Sequence, residues 1–191
     1  MTQPEKTIEF FTDQAAFRDW LARNHTLQKG IWIKFAKKGT GYASLNYDGA
    51  LDVALCFGWI DGQVKRIDDE FYMQSFTPRR ARSPWSKRNC GKVEELIAQG
   101  LMQPPGQAEI DRAKADGRWD RAYEGQAAAE LPKDFLDELA KNPAAQAFFD
   151  TLNKQNQYAV HFRLHDATVP ATRARRIAKY VEMFANGEKF H

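Results

Sequence analysis

A chain of 191 residues with 43% hydrophobic and 28% charged side chains has an ordinary globular composition and enough length to bury a core without staples. Its formal charge of +3 is too mild to imply nucleic acid by itself, and two cysteines, Cys56 and Cys90, exclude a disulfide framework or a zinc spacing. No signal-like apolar core follows Met1 and nowhere do 18 apolar residues run together, so a cytoplasmic protein with no membrane span is expected.

In chain order, the first expected element is a short strand at 8–11. Thr12 or Asp13 then caps a helix that carries Phe17, Trp20 and Leu21 on one face and ends near Asn24. Residues 30–37 alternate as a strand, with Ile31, Ile33 and Phe35 toward the core and Trp32, Lys34 and Ala36 opposite. The loop Lys37 to Gly41 is basic and glycine-containing but lacks phosphate-loop spacing, and reads as a solvated turn. Asn46 or Ser44 caps a helix over 47–57 that buries Ala50, Leu51, Ala54 and Leu55. Asp48 and Asp52 stand one turn apart on its side, a spacing open to metal binding, to acid/base chemistry or to a plain solvated face.

A β-hairpin follows, with Asp68-Asp69 as its turn. That turn places Trp59, Asp61, Gln63, Lys65, Tyr72, Gln74 and Phe76 on one face. Ile60, Gly62, Val64, Arg66, Phe71, Met73 and Ser75 fall on the other, which reads as mostly core. The first face mixes aromatic and hydrogen-bonding groups as ligand sites do, with Asp61 beside Phe76 and within reach of Arg79 for a bidentate pair. Thr77 to Lys92 carries six basic residues and no acid, with Trp85 interleaved, and is expected to bind polyanions weakly and without sequence preference. The candidate ligand-binding residues are thus Trp59, Asp61, Arg66, Tyr72, Gln74, Arg79, Arg80, Trp85, Lys87 and Arg88.

A helix over 86–99 closes this half at Gly100. Pro104-Pro105-Gly106 reads as a connector into a helix over 108–116, and 125–132 as a small-residue linker. Short helices are expected at 133–141, 142–152 and 153–165, with Leu136, Leu139, Phe148, Phe149, Leu152, Tyr158, Val160 and Phe162 as core. A last helix over 171–185 buries Ile177, Val181 and Phe184 and exposes Arg173, Arg175, Arg176 and Lys179. The fold class is α+β: a small antiparallel sheet with packed helices in residues 1–103, then a helical region over 104–191.

The runs Gly30-Ile-Trp-Ile-Lys-Phe-Ala-Lys-Lys, Ala54-Leu-Cys-Phe-Gly-Trp-Ile-Asp-Gly-Gln, Phe76-Thr-Pro-Arg-Arg, Trp85-Ser-Lys-Arg-Asn and Thr172-Arg-Ala-Arg-Arg-Ile together resemble the YdeI/OmpD-associated, or bacteriocin-protection, family. The resemblance extends from about Phe10 to His191 and implies a role in bacteriocin tolerance or envelope stress, without an agreed reaction or catalytic residue. Where relatives tend to read Pro-Glu-Thr-Arg, this chain has Pro170-Ala171-Thr172-Arg173, which removes a carboxylate from a helix start.

Two classes of function stay open. A binding or stress-resistance protein would meet an anionic small molecule or acidic macromolecule through Arg79 to Lys92 and the final helix, with the cluster at Trp59 as a docking surface. An enzyme would use Asp61 as acid or base, Arg66 or Arg79 as anion clamp, and Trp59 and Tyr72 as walls. There is no cofactor fingerprint, so no cofactor is expected. His25, His161, His165 and His191 are scattered, and His161 and His165, one turn apart, lack a third metal ligand.

Overall fold

Residues alternating between burial and exposure form a strand with one covered face, and those in which every third or fourth residue is apolar form the helices that cover it. In the computed structural model, which describes residues 6–190, strands β1 (Ile8–Phe10), β2 (Ile31–Ala36), β3 (Trp59–Arg66) and β4 (Phe71–Pro78) form one sheet in the order β1-β2-β4-β3. His191 lies outside the described residues. The β2–β4 and β4–β3 pairs are antiparallel, but β1 runs parallel to β2, so the sheet is mixed and not wholly antiparallel. Helix α1 (Gln14–Asn24) makes the difference, because parallel neighbours need a crossover that returns the chain to its starting end. Asp13 caps α1 by accepting from the Ala16 amide.

Ile31, Ile33 and Phe35 are sealed from solvent, as their alternation requires. Their cross-strand partners are Phe76, Gln74 and Tyr72, so the covered face of the hairpin is the one that carries Trp59 and Phe76. The opposite assignment is overturned for Val64, Phe71 and Met73, while Ile60 still packs partly against the core: register with β2 decides which face joins the helices, and no pattern within the hairpin alone encodes it. Pairing runs as expected through Trp59↔Pro78, Ile60↔Thr77 and Asp61↔Phe76, then shifts to Val64↔Gln74, Lys65↔Met73 and Arg66↔Tyr72. Gly62 and Gln63 together oppose Ser75, a β-bulge. Beyond it the faces of β3 exchange, and Lys65 leaves the side of Trp59.

Helix α2 (Tyr47–Cys56) is capped by Asn46 and buries Ala50, Leu51, Val53, Ala54 and Leu55. Helix α3 (Lys87–Ala98) is capped by Ser86. The expected connector at 104–106 is instead the first turn of α4 (Pro104–Ala115), where a proline loses no intrahelical hydrogen bond. Gly106 allows α4 to lie against the end of α2, since a Cβ there would come within 2.2 Å of the Cys56 carbonyl oxygen. Ile110 and Ala113 of α4 join Phe17, Leu21, Leu51, Leu55 and Trp59 in one core.

The chain forms two compact units, dividing after Ala122. The second, from Tyr123, holds α5 (Lys133–Leu139), α6 (Pro143–Asp150), α7 (Lys154–His165) and α8 (Pro170–Ala185) around Phe135, Leu139, Phe149, Val160, Leu164, Ile177 and Phe184. Leu136, expected in this core, is 40% exposed because Phe135 takes the inward position of a helix of only seven residues. Tyr180 is fully packed and Val181 only partly, a rotation of one residue from the expected face of α8.

Candidate functional site

The hairpin's inner face gathers several of the polar groups singled out above. Asp61, on the covered side of edge strand β3, accepts at Oδ2 from the Tyr47 hydroxyl at 3.1 Å and from Gln74 Nε2 at 3.0 Å. The strand period points Gln74 inward, where it is 6% exposed, and its amide also reaches the Gly62 carbonyl at 3.3 Å. Burial, and then the charge of Asp61, push the Tyr47 phenol up to about 12, so it serves as a hydrogen-bond donor and not as a base near neutrality. Arg88 stands 5.7 Å from the Tyr47 ring and pairs with Asp48 at 2.8 Å. Tyr72 stacks on Phe35, its phenol also raised by burial and then by Asp48. Asp61, Gln74 and Arg88 thus meet around Tyr47, which sequence reasoning treated only as a helix start.

The remaining candidates go elsewhere. Trp59 is fully buried, donates Nε1 to the His25 carbonyl at 2.8 Å and meets Trp20 edge-on, which makes it part of the core. Arg66 is exposed and pairs with Asp69 across the turn. Arg79 is buried with its guanidinium 3.6 Å above the ring of Trp85, itself buried, and donates to the Pro84 carbonyl at 3.1 Å. The expected Arg79–Asp61 fork is therefore replaced: Tyr47 and Gln74 satisfy the carboxylate, and Arg79 folds back on its own loop. Asp48 and Asp52 are taken by Arg88 and Lys92, the latter pair at 2.6 Å, and tie α2 to α3. Arg80 and Lys87 remain on the surface. Cys90, within the basic stretch, is half-buried, and that burial pushes its thiol up to about 11 against the opposing charge of Arg79.

The outer face of the same sheet holds an arrangement that the sequence reading did not identify as a site. Trp32 lies under two ammonium groups, Lys65 at 4.6 Å and Lys6 at 5.6 Å from its ring. Lys6 also donates to Ser75 Oγ at 2.6 Å, and Lys34 sits 3.7 Å above Phe71. Ile8 is 57% and Phe10 45% exposed, and the ladder sets them beside Trp32 and Lys34 on this face. None of the strand positions paired on this face is Asp or Glu. The Lys6 ammonium is held below its ordinary value by burial, then by the charges of Arg80 and Lys65. Alternation along β2 had set Trp32 and Lys34 opposite the core, but the bulge that brings Lys65 over Trp32 carries no clear sequence signal.

In the second unit, a cavity of about 560 Å³ is lined by Leu131, Lys154, Gln157, Tyr158 and His161 among others. His161 Nδ1 lies 2.6 Å from the Glu130 carbonyl, and a carbonyl only accepts, so that nitrogen carries the proton. The His161 ring stacks between Tyr158 and His165. Arg173 grips Asp134 at 2.6 and 2.8 Å and the Leu164 carbonyl at 2.7 Å, holding the carboxyl of Asp134 below its usual range. Among the described residues, no three His, Cys, Asp or Glu side chains gather as metal ligands, and no helix is long and apolar enough to cross a membrane.

Two family models match the chain. The one described as bacteriocin-protection, YdeI or OmpD-associated covers residues 128–187, about a third of the chain. The resemblance read across nearly the whole length is thereby narrowed, since its motifs between Gly30 and Asn89 fall where a different model matches. No curated protein and no solved structure matches. That second model, described as a domain of unknown function (DUF8412), covers residues 9–109, more than half of the 191, and the chain belongs to that family.

Proposed function

We propose that this is a cytoplasmic binding protein for an anionic partner, acting in bacteriocin protection or envelope-stress tolerance, and that its contact surface is the outer face of the sheet. The match over 128–187 supports the physiological part of this reading. One observation carries the molecular part: Lys6, Lys34 and Lys65 are held over Trp32 and Phe71 on a face with no carboxylate among its paired strand positions. A cation over a ring keeps its charge available to an incoming anion, whereas an ion pair does not. The basic stretch Arg79 to Lys92 offers less for this role, because Arg88 and Lys92 are already paired and Arg79 is internal. Arg80 remains exposed and adds charge near Lys6.

Titration of inorganic polyphosphate at low ionic strength, followed calorimetrically, tests the reading. Replacing Lys6, Lys34 and Lys65 together by Ala should weaken binding at least about tenfold and lower the salt slope by about 2, the share of three released counterions on a flexible strand. Binding by the triple variant as tight as that of the unaltered protein would overturn it.

A further inference from the structure

We infer that the anionic partner of the outer sheet face is a single-stranded nucleic acid, with bases stacked on Trp32 and Phe10 and phosphates held by Lys6, Lys34 and Lys65. This rests on the reading of that face as an anion-binding surface, and it adds the chemical class.

Charge alone would admit any polyanion, but the rings narrow the choice. Along the ladder, Ile8 and Phe10 of β1 neighbour Trp32 and Lys34 of β2, which neighbour Ser75 and Met73 of β4, with Lys65 of β3 beyond. Aromatic and cationic side chains therefore interleave across all four strands, where neighbouring strands lie about 4.8 Å apart. A sulfated sugar would meet the rings only with its C–H faces, without π–π stacking, and an acidic peptide without aromatic residues would use the ammonium groups and leave the rings idle. A duplex would do the same, because its bases are already stacked and it offers only its phosphates to a sheet face. A single strand uses both sets, since every base has a π-face and every linkage a charge.

The resting state of the face fits this partner. Phe10 stands 45% exposed at the β1 edge, an aromatic surface left open to solvent. Lys65 and Lys6 occupy the π-face of Trp32 at 4.6 and 5.6 Å, the position a base would take. Both are long, flexible side chains, so a phosphate can draw them off the ring as a base moves in. Lys6 is crowded by Arg80 and Lys65, and a phosphate arriving among the three relieves that repulsion. Ser75, whose hydroxyl accepts from Lys6 at 2.6 Å, fixes where that ammonium stands.

The test compares a fluorescently labelled oligothymidylate long enough to cross the four strands, an abasic phosphodiester strand of the same length, and a blunt duplex, by anisotropy at low salt. Oligothymidylate should bind at least about tenfold more tightly than the abasic strand, the scale of one base–ring stack. Trp32→Ala and, separately, Phe10→Ala should each shrink that difference severalfold, and the double variant should remove most of it, while affinity for the abasic strand stays within about twofold; Trp32→Phe should keep most of it. Phe10 lies at a sheet edge, so its variant remains informative if Trp32→Ala fails to fold. Equal binding of the thymidylate and abasic strands, or an advantage that survives both alanine variants, would overturn the stacking inference and leave the anion reading standing. Undiminished polyphosphate binding by the triple lysine variant would remove the anion reading itself.

Discussion

The two faces of the β3–β4 hairpin treat polar groups in opposite ways. Inside, Asp61 is met by Tyr47 and Gln74, so the buried amide and the carboxylate satisfy each other. Outside, Lys6, Lys34 and Lys65 rest on aromatic rings with no carboxylate opposite them on the ladder. A buried polar group with its partners in place is a device of the fold, because removing one member strands the other in a poor solvent. On the outer face the Asp68 carboxylate of the hairpin turn lies within the field of Lys34, but no paired strand position supplies a counter-charge, so these ammonium groups add little to the fold and can attract something from outside. The hairpin's densest cluster of polar residues is therefore the less promising place for a ligand.

Substitutions separate the two roles. The largest effect on stability is expected from Gln74→Leu, which keeps approximate shape but takes a donor from Asp61: a loss of about 1–3 kcal/mol in urea unfolding, with polyphosphate binding unchanged. A change below about 0.5 kcal/mol would mean that water supplies the inner face as well as Gln74 does, and the contrast between faces would collapse.

Tyr47→Phe should follow at about 0.5–1.5 kcal/mol, one net hydrogen bond. This residue also offers a pH signature. A phenol whose folded value is raised to about 12 from 10.0 keeps its proton in the folded state while the unfolded chain releases it. The associated stability is fully present below pH 10 and is lost as pH rises through about 12. Unfolding midpoints of the unaltered protein should fall across that window more steeply than those of Tyr47→Phe; parallel curves would show that the hydroxyl is solvated.

The smallest effects on stability belong to the outer face. Lys34→Ala and Lys65→Ala should each shift stability by less than about 0.5 kcal/mol, as surface substitutions usually do, while each reduces anion binding. A lysine whose loss unfolds the protein would place the outer face among the structural devices too.

Much of this architecture was legible from local chemistry. Asp13 and Asn46, each one of two short acceptors expected before an apolar period, cap their helices, and the parity that sets Trp59, Asp61 and Phe76 on one face holds. What escaped was whatever depends on a second element. The direction of β1 depends on α1, and the buried side of the hairpin depends on pairing with β2. Helix α4 starts on prolines because their missing amides are needed by no one in a first turn, a fact that composition disguises as a break. For the site, Asp61, Gln74 and Arg88 were visible but Tyr47, which joins them, was not, since its role appears only when α2 is laid against the sheet. Arg79 was credited with a reach toward Asp61 that its stacking on Trp85 forecloses.

The bulge at Gly62 and Gln63 bears on how this hairpin can vary among relatives. Two residues of β3 face one of β4 there, while the pairings on either side, Asp61↔Phe76 and Val64↔Gln74, differ by a single step. Losing Gln63 would make the ladder continuous and leave every flanking partner where it is, with Lys65 still opposite Met73 and Trp59 still opposite Pro78. An insertion or deletion of one residue normally scrambles a strand by turning all that follows inside out. At this point the hairpin can change its length by one and keep both of its faces.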